Sequence, residues 1–284
     1  FYADYSEMIV LARELTLPMV KKICQQIEEK DIRGTSGELM KIEIFGHGAM
    51  CIAFSGRCHM SLLTDNSSAN RGACTQTCRK KYIVKDADSG AQLKLENDFV
   101  MSPTDLCTIG LLSEIADTGI KTLKIEGRGR SPQYVSEVIT CYREALDAVA
   151  EKKYTQEKIE AWNKRLGTVY NRGMSGGFYM GKPFIEWSGI NGNKATTRRE
   201  QVGVVKRYFP KIMVAEVEVL SNGISNKDKY LFTGETTGIV DGANPIIWMD
   251  GKEVSEANKG DIFSMKIGSR LRNGDRLYKI VGNN

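Results

Sequence analysis

The sequence lacks several features that mark common protein classes. No apolar run in its 284 residues approaches the ~20 residues that a membrane-spanning helix needs. It contains neither the HExxH pattern of zinc peptidases nor the GxxxxGKS or GxxxxGKT pattern of nucleotide-binding loops. It has only two histidines, so hydrolysis that depends on histidine has few candidate residues. These absences direct attention to the residues that cluster, and cysteine is the first of them.

The charge balance is mildly basic. The formal net charge is +5 and the pI is near 8.7, which is compatible with a nucleic-acid partner but does not require one. The hydrophobic fraction of 41% is that of a globular protein. The seven cysteines are an odd number, which argues against a disulfide framework. We therefore expect a reducing, cytoplasmic environment and no membrane partner.

Apolar runs and helix-capping residues alternate along the first 180 residues. They predict strands at 7–11, 41–45 and 121–125, and helices over 16–30, 102–119, 131–153 and onward from Thr155. This alternation predicts the α/β class with parallel strands. Three such units cannot close an eight-stranded barrel, so the alternatives are a small open sheet and part of a larger barrel. We favour the second, and expect residues 1–180 to form the C-terminal part of an incomplete TIM-type (β/α) barrel. The sequence opens with Phe1, and we expect that an N-terminal part is missing.

The pattern changes after about Arg199, where short β-rich runs alternate with turns. Six or seven such runs predict a small antiparallel β-barrel domain over residues 200–284. Basic residues occur near its start and near its end, and they fit an accessory RNA contact as well as a purely structural barrel. These residues are Lys206, Arg207, Lys211, Lys266, Arg270 and Arg272.

Five of the seven cysteines lie within one segment. They are Cys51, Cys58, Cys74, Cys78 and Cys107, among glycines, arginines and small polar residues. Iron–sulfur clusters are held by four thiolates, often with one ligand distant in sequence, whereas a zinc site more often shows two CxxC pairs. The alternative is a set of unligated cysteines in an irregular loop. The spacing does not decide which four of the five would bind.

Polar residues follow the predicted strands at 41–45 and 121–125. They are Glu43, His47, Lys124, Glu126 and Arg128, which we consider as candidate catalytic residues because functional groups of (β/α) barrels lie at the carboxyl ends of strands. The alternatives are a solvent-facing turn for His47 and a structural salt bridge for Lys124 with Glu126. Basic residues also surround the cysteines and suit an anionic substrate or RNA phosphates. They are Arg57, Arg71, Arg79, Lys80 and Lys81.

The run GHGAMCIAFSGRCHMS…NRGACTQTCR closely resembles the signature of the peptidase U32 family, known for collagenase-like peptidases. SPTDLCTI and LKIEGRGRSPQYV resemble further family segments, the second with Gly129 and Arg130 where members commonly carry other residues. The β-rich tail is similar to the family's C-terminal domain. The resemblance covers nearly the whole chain, as the C-terminal two thirds of a family member.

The resemblance implies oxygen-independent RNA hydroxylation with a 4Fe–4S cluster. It is closest to the members that convert the wobble uridine of tRNA to 5-hydroxyuridine with prephenate as the hydroxyl donor. It implies Cys51, Cys58, Cys74 and Cys107 as cluster ligands, with Cys78 in reserve. The alternatives are a collagenase-like peptidase, as the family name says, and a non-catalytic RNA-binding module with a structural cluster.

Overall fold

A computed structural model of the chain describes residues 1–90, 92–93 by backbone alone, 99–181, 188–189 and 192–283. The chain divides into two compact units, Phe1–Lys194 and Ala195–Asn284. In the described part, no helix is both long enough and apolar enough to span a bilayer.

The first unit combines helices with short strands. Its helices are α1 (Leu17–Glu29), α2 (Met60–Asp65), α3 (Leu112–Ala116), α4 (Pro132–Ala150) and α5 (Gln156–Leu166). Its strands are β1 (Met8–Val10), β2 (Lys41–Ala49), β3 (Val84–Lys85), β4 (Gln92–Leu93), β5 (Asp105–Cys107), β6 (Thr122–Ile125) and β7 (Met174–Ser175).

The three longer helices begin where local signals predict. The α4 helix has Pro132 in its first turn, and the Ser131 side chain accepts a hydrogen bond from the backbone N–H of Tyr134. The Thr155 side chain caps α5 in the same way through the N–H of Lys158. Thr16 precedes α1, which also carries a proline in its first turn. The apolar faces of these helices share one core with the strands of the sheet, and both Cys24 and Cys141 are buried in it.

The longest strand described in the first unit, β2, is the centre of a five-stranded mixed sheet. It pairs in parallel with β1 and with β6. Its last residues, His47–Ala49, pair antiparallel with β5, and β5 pairs in parallel with β7. The α/β class and the parallel pairs are therefore confirmed. Among the described strands of this unit, the pairings form a branched sheet with an antiparallel member, and barrel closure is not shown.

The prediction of a helix over 102–119 is wrong for its first half, which contains β5. The backbone N–H and the hydroxyl of Thr108 both donate to the Gly46 carbonyl, and the Tyr142 hydroxyl donates to that same oxygen at 2.7 Å. These tertiary bonds hold the segment against β2, so pairing overrides the local helical signal. The prediction that β2 ends at Gly46 is also wrong, because the strand continues to Ala49.

The second unit is antiparallel, as predicted. Its strands are β8 (Thr197–Phe209), β9 (Val214–Val219), β10 (Ile224–Ser225), β11 (Lys229–Gly234), β12 (Gly238–Ala243), β13 (Ile247–Met249), β14 (Lys252–Val254), β15 (Glu256–Ala257), β16 (Ile262–Lys266) and β17 (Arg276–Gly282). Eight of these strands form one sheet in the order β12-β11-β17-β8-β9-β16-β13-β14, and β10 pairs with β15. Among the described pairings of this unit, none joins the edge strands β12 and β14.

Candidate functional site

A cavity of about 880 Å³ lies at one edge of the mixed sheet. Its walls include residues 10–13 at the end of β1, 49–51 at the end of β2 and 126–130 after β6. These three strands are parallel neighbours, so their carboxyl ends meet at the same edge. The segment that carries the clustered cysteines forms another wall. The topology therefore produces a concave site at the position where (β/α) proteins hold their functional groups.

Four thiols line this cavity together. They belong to Cys51, Cys58, Cys74 and Cys78. The segment between them contains the short helix α2, and side-chain bonds hold its irregular parts. The Asn70 side chain accepts from the backbone N–H of Cys58 at 3.3 Å, and the Ser61 hydroxyl accepts from the N–H of Thr75 at 3.1 Å. The Thr75 hydroxyl in turn donates to the carboxylate of Asp65 at 2.5 Å.

The cavity environment changes the acidity of two of these thiols. Burial raises the pKa of Cys51 above its ordinary value, and the neighbouring thiols of Cys58 and Cys74 act in the same direction. Burial also raises the pKa of Cys78, while the guanidinium of Arg79 opposes that rise. As free groups, Cys51 and Cys78 stay protonated at neutral pH, so a metal would have to displace their protons.

The donor set fits an iron–sulfur cluster better than a single ion. Within the described residues, no three His, Cys, Asp or Glu side chains converge tightly enough to hold one metal ion. A four-iron cluster takes one thiolate at each iron, so its ligands surround a volume instead of a point. Four thiols distributed over the walls of one cavity match that requirement.

Cys107 lies apart from the other four clustered cysteines. It is on β5, opposite His47 in the antiparallel register. It lines a different cavity of about 310 Å³, where its sulfur lies 3.9 Å from the side-chain oxygen of Asn163. The structure thus brings Cys78 together with Cys51, Cys58 and Cys74, and does not bring Cys107 to them. Strand pairing with β2 fixes this position.

The thiol cavity is strongly cationic. Five arginines line it, against Glu126 as the carboxylate among its described lining residues. They are Arg13, Arg79, Arg128, Arg130 and Arg172. The remaining basic residues of the cysteine segment, Arg57, Arg71, Lys80 and Lys81, are exposed on its outer surface.

Arg79 connects the two ends of the cysteine segment. Its guanidinium donates to the Met50 carbonyl at 2.6 Å, to the Ser102 hydroxyl at 3.0 Å and to the Pro103 carbonyl. Met50 directly precedes Cys51, and Arg79 directly follows Cys78. One side chain therefore fixes the backbone beside two of the thiols. Burial lowers the pKa of Arg79, and repulsion from Arg172 acts in the same direction.

A buried carboxylate lies behind the cavity wall. Asp105 is 1% exposed and forms ion pairs with Arg130 at 3.1 Å and with Arg172 at 3.4 Å. The Tyr170 ring supports both guanidinium groups, whose central carbons lie 4.0 Å and 5.1 Å from its centroid. Asp105 and Tyr170 thus set the orientation of two cavity-lining arginines.

Glu126 and Arg128 both line the cavity, as their positions after β6 predict. Arg128 donates its backbone N–H to the Glu126 carboxylate at 3.1 Å, and its guanidinium donates to the Gly72 carbonyl at 3.1 Å. Arg13 lies 3.7 Å from the other carboxylate oxygen of Glu126 and stacks on the Phe45 ring. Glu126 is therefore a carboxylate at the cavity wall whose two oxygens are contacted by Arg13 and by the backbone N–H of Arg128.

The other three candidate catalytic residues do not line this cavity. His47 is buried, with its Nδ1 3.3 Å from the Tyr142 hydroxyl, so it is not a solvent-facing turn residue. Burial, and then the charge of Arg130, lowers the pKa of His47 to about 3, which keeps its ring neutral. Lys124 pairs with Glu43 at 3.0 Å and not with Glu126. These groups support the sheet beneath the cavity.

The cavity that Cys107 lines contains a sequence pattern that sequence reasoning missed. Residues 173–177 read GMSGG, a match to the GxSxG pattern of serine hydrolases. Its serine, Ser175, lines this cavity near Cys107, and its hydroxyl accepts a hydrogen bond from Thr104 at 3.1 Å. No histidine occurs among the residues described as lining this cavity, so the pattern lacks its usual base.

Sequence reasoning also missed the cavity residues Arg13, Tyr170 and Arg172. It missed Asp105 as well, the carboxylate that pairs with Arg172 and with Arg130. Arg13 had a usable signal, because it follows a predicted strand as Glu126 does. The ion pairs of Asp105 span 25 and 67 residues, and no local pattern predicts such partners.

Comparisons with known proteins agree with the sequence resemblance. The model of peptidase family U32 matches residues 3–189. A collagenase of Porphyromonas gingivalis strain W83 is 42% identical over 279 residues, covering 98% of this chain and 67% of that protein. The tRNA hydroxylation protein P1 of Bacillus subtilis is 33% identical over 206 residues, covering 71% of this chain and 46% of that protein.

The comparisons include two further similarities. The 23S rRNA 5-hydroxycytidine C2501 synthase of Escherichia coli is 38% identical over 145 residues, covering 51% of this chain and 20% of that protein. Among solved structures, the C-terminal domain of a Geobacillus thermoleovorans protein named as a U32 peptidase is 24% identical, with a TM-score of 0.27, and covers 28% of this chain and 91% of that one. The family match and the 42% identity over nearly the whole chain establish that this chain belongs to peptidase family U32.

Proposed function

We propose that this chain is the cluster-bearing part of an RNA-modifying enzyme that hydroxylates the wobble uridine of tRNA to 5-hydroxyuridine without molecular oxygen. Its cofactor is a 4Fe–4S cluster held by Cys51, Cys58, Cys74 and Cys78. The observation that carries the proposal is the lining of one cavity by these four thiols and five arginines. Relatives named for tRNA and rRNA hydroxylation, at 33% and 38% identity, support RNA as the substrate.

The cluster supplies one-electron redox chemistry when it is bound. Hydroxylation replaces the C5–H of uracil by C5–OH, while the oxygen donor, prephenate in this proposal, loses an oxygen and is reduced by two electrons. The chain's own residues then have two tasks. Glu126 is the cavity carboxylate that accepts the proton from C5 and returns it to the deoxygenated donor, and Arg13 and Arg128 hold that carboxylate in place.

The fold and the location belong to the same proposal. The parallel strands β1, β2 and β6 would be part of a (β/α) barrel, and the antiparallel second unit would be an accessory domain. The enzyme would work in the cytoplasm, where tRNA is modified.

The test is an anaerobic reaction with defined components. Purified protein is incubated with unmodified tRNA and prephenate, and the digested nucleosides are analysed by mass spectrometry. We expect 5-hydroxyuridine from wild type and from Cys24→Ala, whose thiol lies in the core between α1 and the sheet, and none from Cys51→Ser. Iron-containing wild-type protein that forms no product with any tRNA would favour the non-catalytic RNA-binding alternative.

The collagenase-like alternative is favoured by one observation, the 42% identity to a protein named collagenase. It predicts peptide release from gelatin by iron-free protein. The serine of the GxSxG match would be the nucleophile of such a peptidase, so Ser175→Ala should abolish peptide release. If Ser175→Ala leaves tRNA hydroxylation intact and wild type releases no peptides, the hydroxylase proposal stands.

A further inference from the structure

Three cavity arginines carry more positive charge than their described surroundings neutralise. The side chains of Arg130 and Arg172 are 7% and 9% exposed, and both share the single carboxylate of Asp105. Arg79 is also partly buried, and its described partners are two carbonyls and a hydroxyl, all neutral. Three guanidinium groups beside one carboxylate leave two formal positive charges. Charge removed from water without a partner is strongly unfavourable, so this group is built to receive an anion.

The geometry also leaves hydrogen-bond donors available to such an anion. Arg130 uses one terminal nitrogen on Asp105. Arg172 contacts Asp105 and the Gln76 side chain at 3.4 Å each, which are long bonds that a better acceptor would outcompete. A guanidinium has five N–H donors in a planar fork that matches a carboxylate or a phosphate. The Tyr170 ring beneath both groups fixes the planes of the two forks.

The depth of the site selects a small ligand over the RNA backbone. An RNA phosphate chain binds along exposed basic surface, which the cysteine segment offers separately through Arg57, Arg71 and Lys80. Arg130 and Arg172 instead line a cavity of about 880 Å³, a volume that holds a small molecule.

We propose that Arg130 and Arg172, oriented by Asp105 and Tyr170, form a subsite for the carboxylate or phosphate group of a small anionic ligand. The inference deepens the proposed function, on which it rests for the identity of that ligand as the oxygen donor. The subsite itself is defined by residues that are separate from the four thiols, so it can be tested without reference to the cluster.

The experiment is calorimetric titration of the full chain with malonate and with inorganic phosphate at constant ionic strength. We expect saturable binding of at least one of these anions to wild type. Arg172→Gln should weaken it about tenfold or more, because one charge-assisted fork is lost. Arg172→Lys retains the charge without the fork and should weaken it by less. The control, Arg143→Gln, removes an exposed arginine that pairs with Asp147 on α4, and should change binding by less than about twofold.

Several results would overturn the subsite. Wild type could fail to bind either anion saturably, or the Arg143 variant could lose as much affinity as the Arg172 variants. If Arg172→Gln loses iron but still binds the anions, the positive charge serves the cluster. A short oligouridylate is titrated in the same way. If Arg172→Gln weakens its binding as much as it weakens binding of the anions, the arginines bind RNA phosphate. If anaerobically purified wild type contains no iron but binds malonate or phosphate through Arg172, the proposed function is refuted while the subsite stands.

Discussion

Replacing Asp105 by asparagine tests how the two buried arginines are held. Asp105 is 1% exposed, and its two oxygens accept separately from Arg130 and Arg172. An asparagine of the same shape keeps one oxygen acceptor but presents an N–H₂ donor to the second guanidinium. The variant therefore loses one charge-assisted bond and leaves two buried cations without a counter-charge.

The magnitude follows from burial. Removing one partner of a buried ion pair destabilises a protein by about 3 kcal/mol or more, because the remaining charge stays desolvated. The matched control is Asp147→Asn on α4, whose pair with Arg143 is about half exposed on both sides and spans one helical turn. Exposed pairs of this kind contribute below about 0.5 kcal/mol. The two aspartate-to-asparagine changes should thus differ by about 2.5 kcal/mol.

Urea unfolding of both variants measures this difference. The expected result is a lower transition midpoint for the first unit in Asp105→Asn, with an unchanged dependence on urea concentration. The transition of unit Ala195–Asn284 is an internal reference, because neither substitution lies in it. Equal effects of the two substitutions would refute the reasoning, since the buried pair would then be no more important than the exposed one.

Two other predictions concern the sheet beneath the cavity. Gly48 has a φ of +120°, and an added Cβ would lie 2.7 Å from the Cβ and the carbonyl oxygen of Glu126. Gly48→Ala should therefore lower the free energy of unfolding by about 2 kcal/mol or more. The control is Gly37→Ala, where φ is +82° and the surrounding space is open, and it should lower that free energy by about 1 kcal/mol. Similar losses for the two variants in urea titrations would contradict this prediction. Because the pKa of His47 is lowered to about 3 in the folded state, its contribution to stability is present above the unfolded pKa of about 6.5 and is lost as pH falls below it. Unfolding free energies at several pH values between 7 and 4 should fall less steeply for His47→Gln than for wild type, and parallel curves would be evidence against a buried neutral ring.

Local signals were sufficient to predict the three longer helices of the first unit, α1, α4 and α5. Ser131 with Pro132 and Thr155 determine where α4 and α5 begin, because capping and proline geometry act within one turn. The strand β5 could not be predicted in this way. The residues 105–107 lie between a capping pattern and an apolar helical run, and only the pairing with β2 selects the extended conformation.

The site also has a part that local sequence predicts and a part that depends on strand pairing. The cysteine segment is dense enough in sequence to predict that several of its five cysteines meet at one site. The choice between Cys78 and Cys107 depends on strand register, which spacing does not contain. The positions of Arg130 and Arg172 beside Asp105 could not be predicted from the sequence either, because Arg172 and Asp105 meet only after β7 pairs with β5.

The central claim is that four thiols of one cavity hold an iron–sulfur cluster, with Cys78 as the fourth ligand. Iron and acid-labile sulfide analysis with a visible spectrum, on anaerobically purified wild type, Cys78→Ser and Cys107→Ser, tests it most directly. The account predicts a coloured, iron-containing wild type, loss of iron in Cys78→Ser and retention in Cys107→Ser. A colourless wild type, or loss of iron in Cys107→Ser with retention in Cys78→Ser, would contradict it.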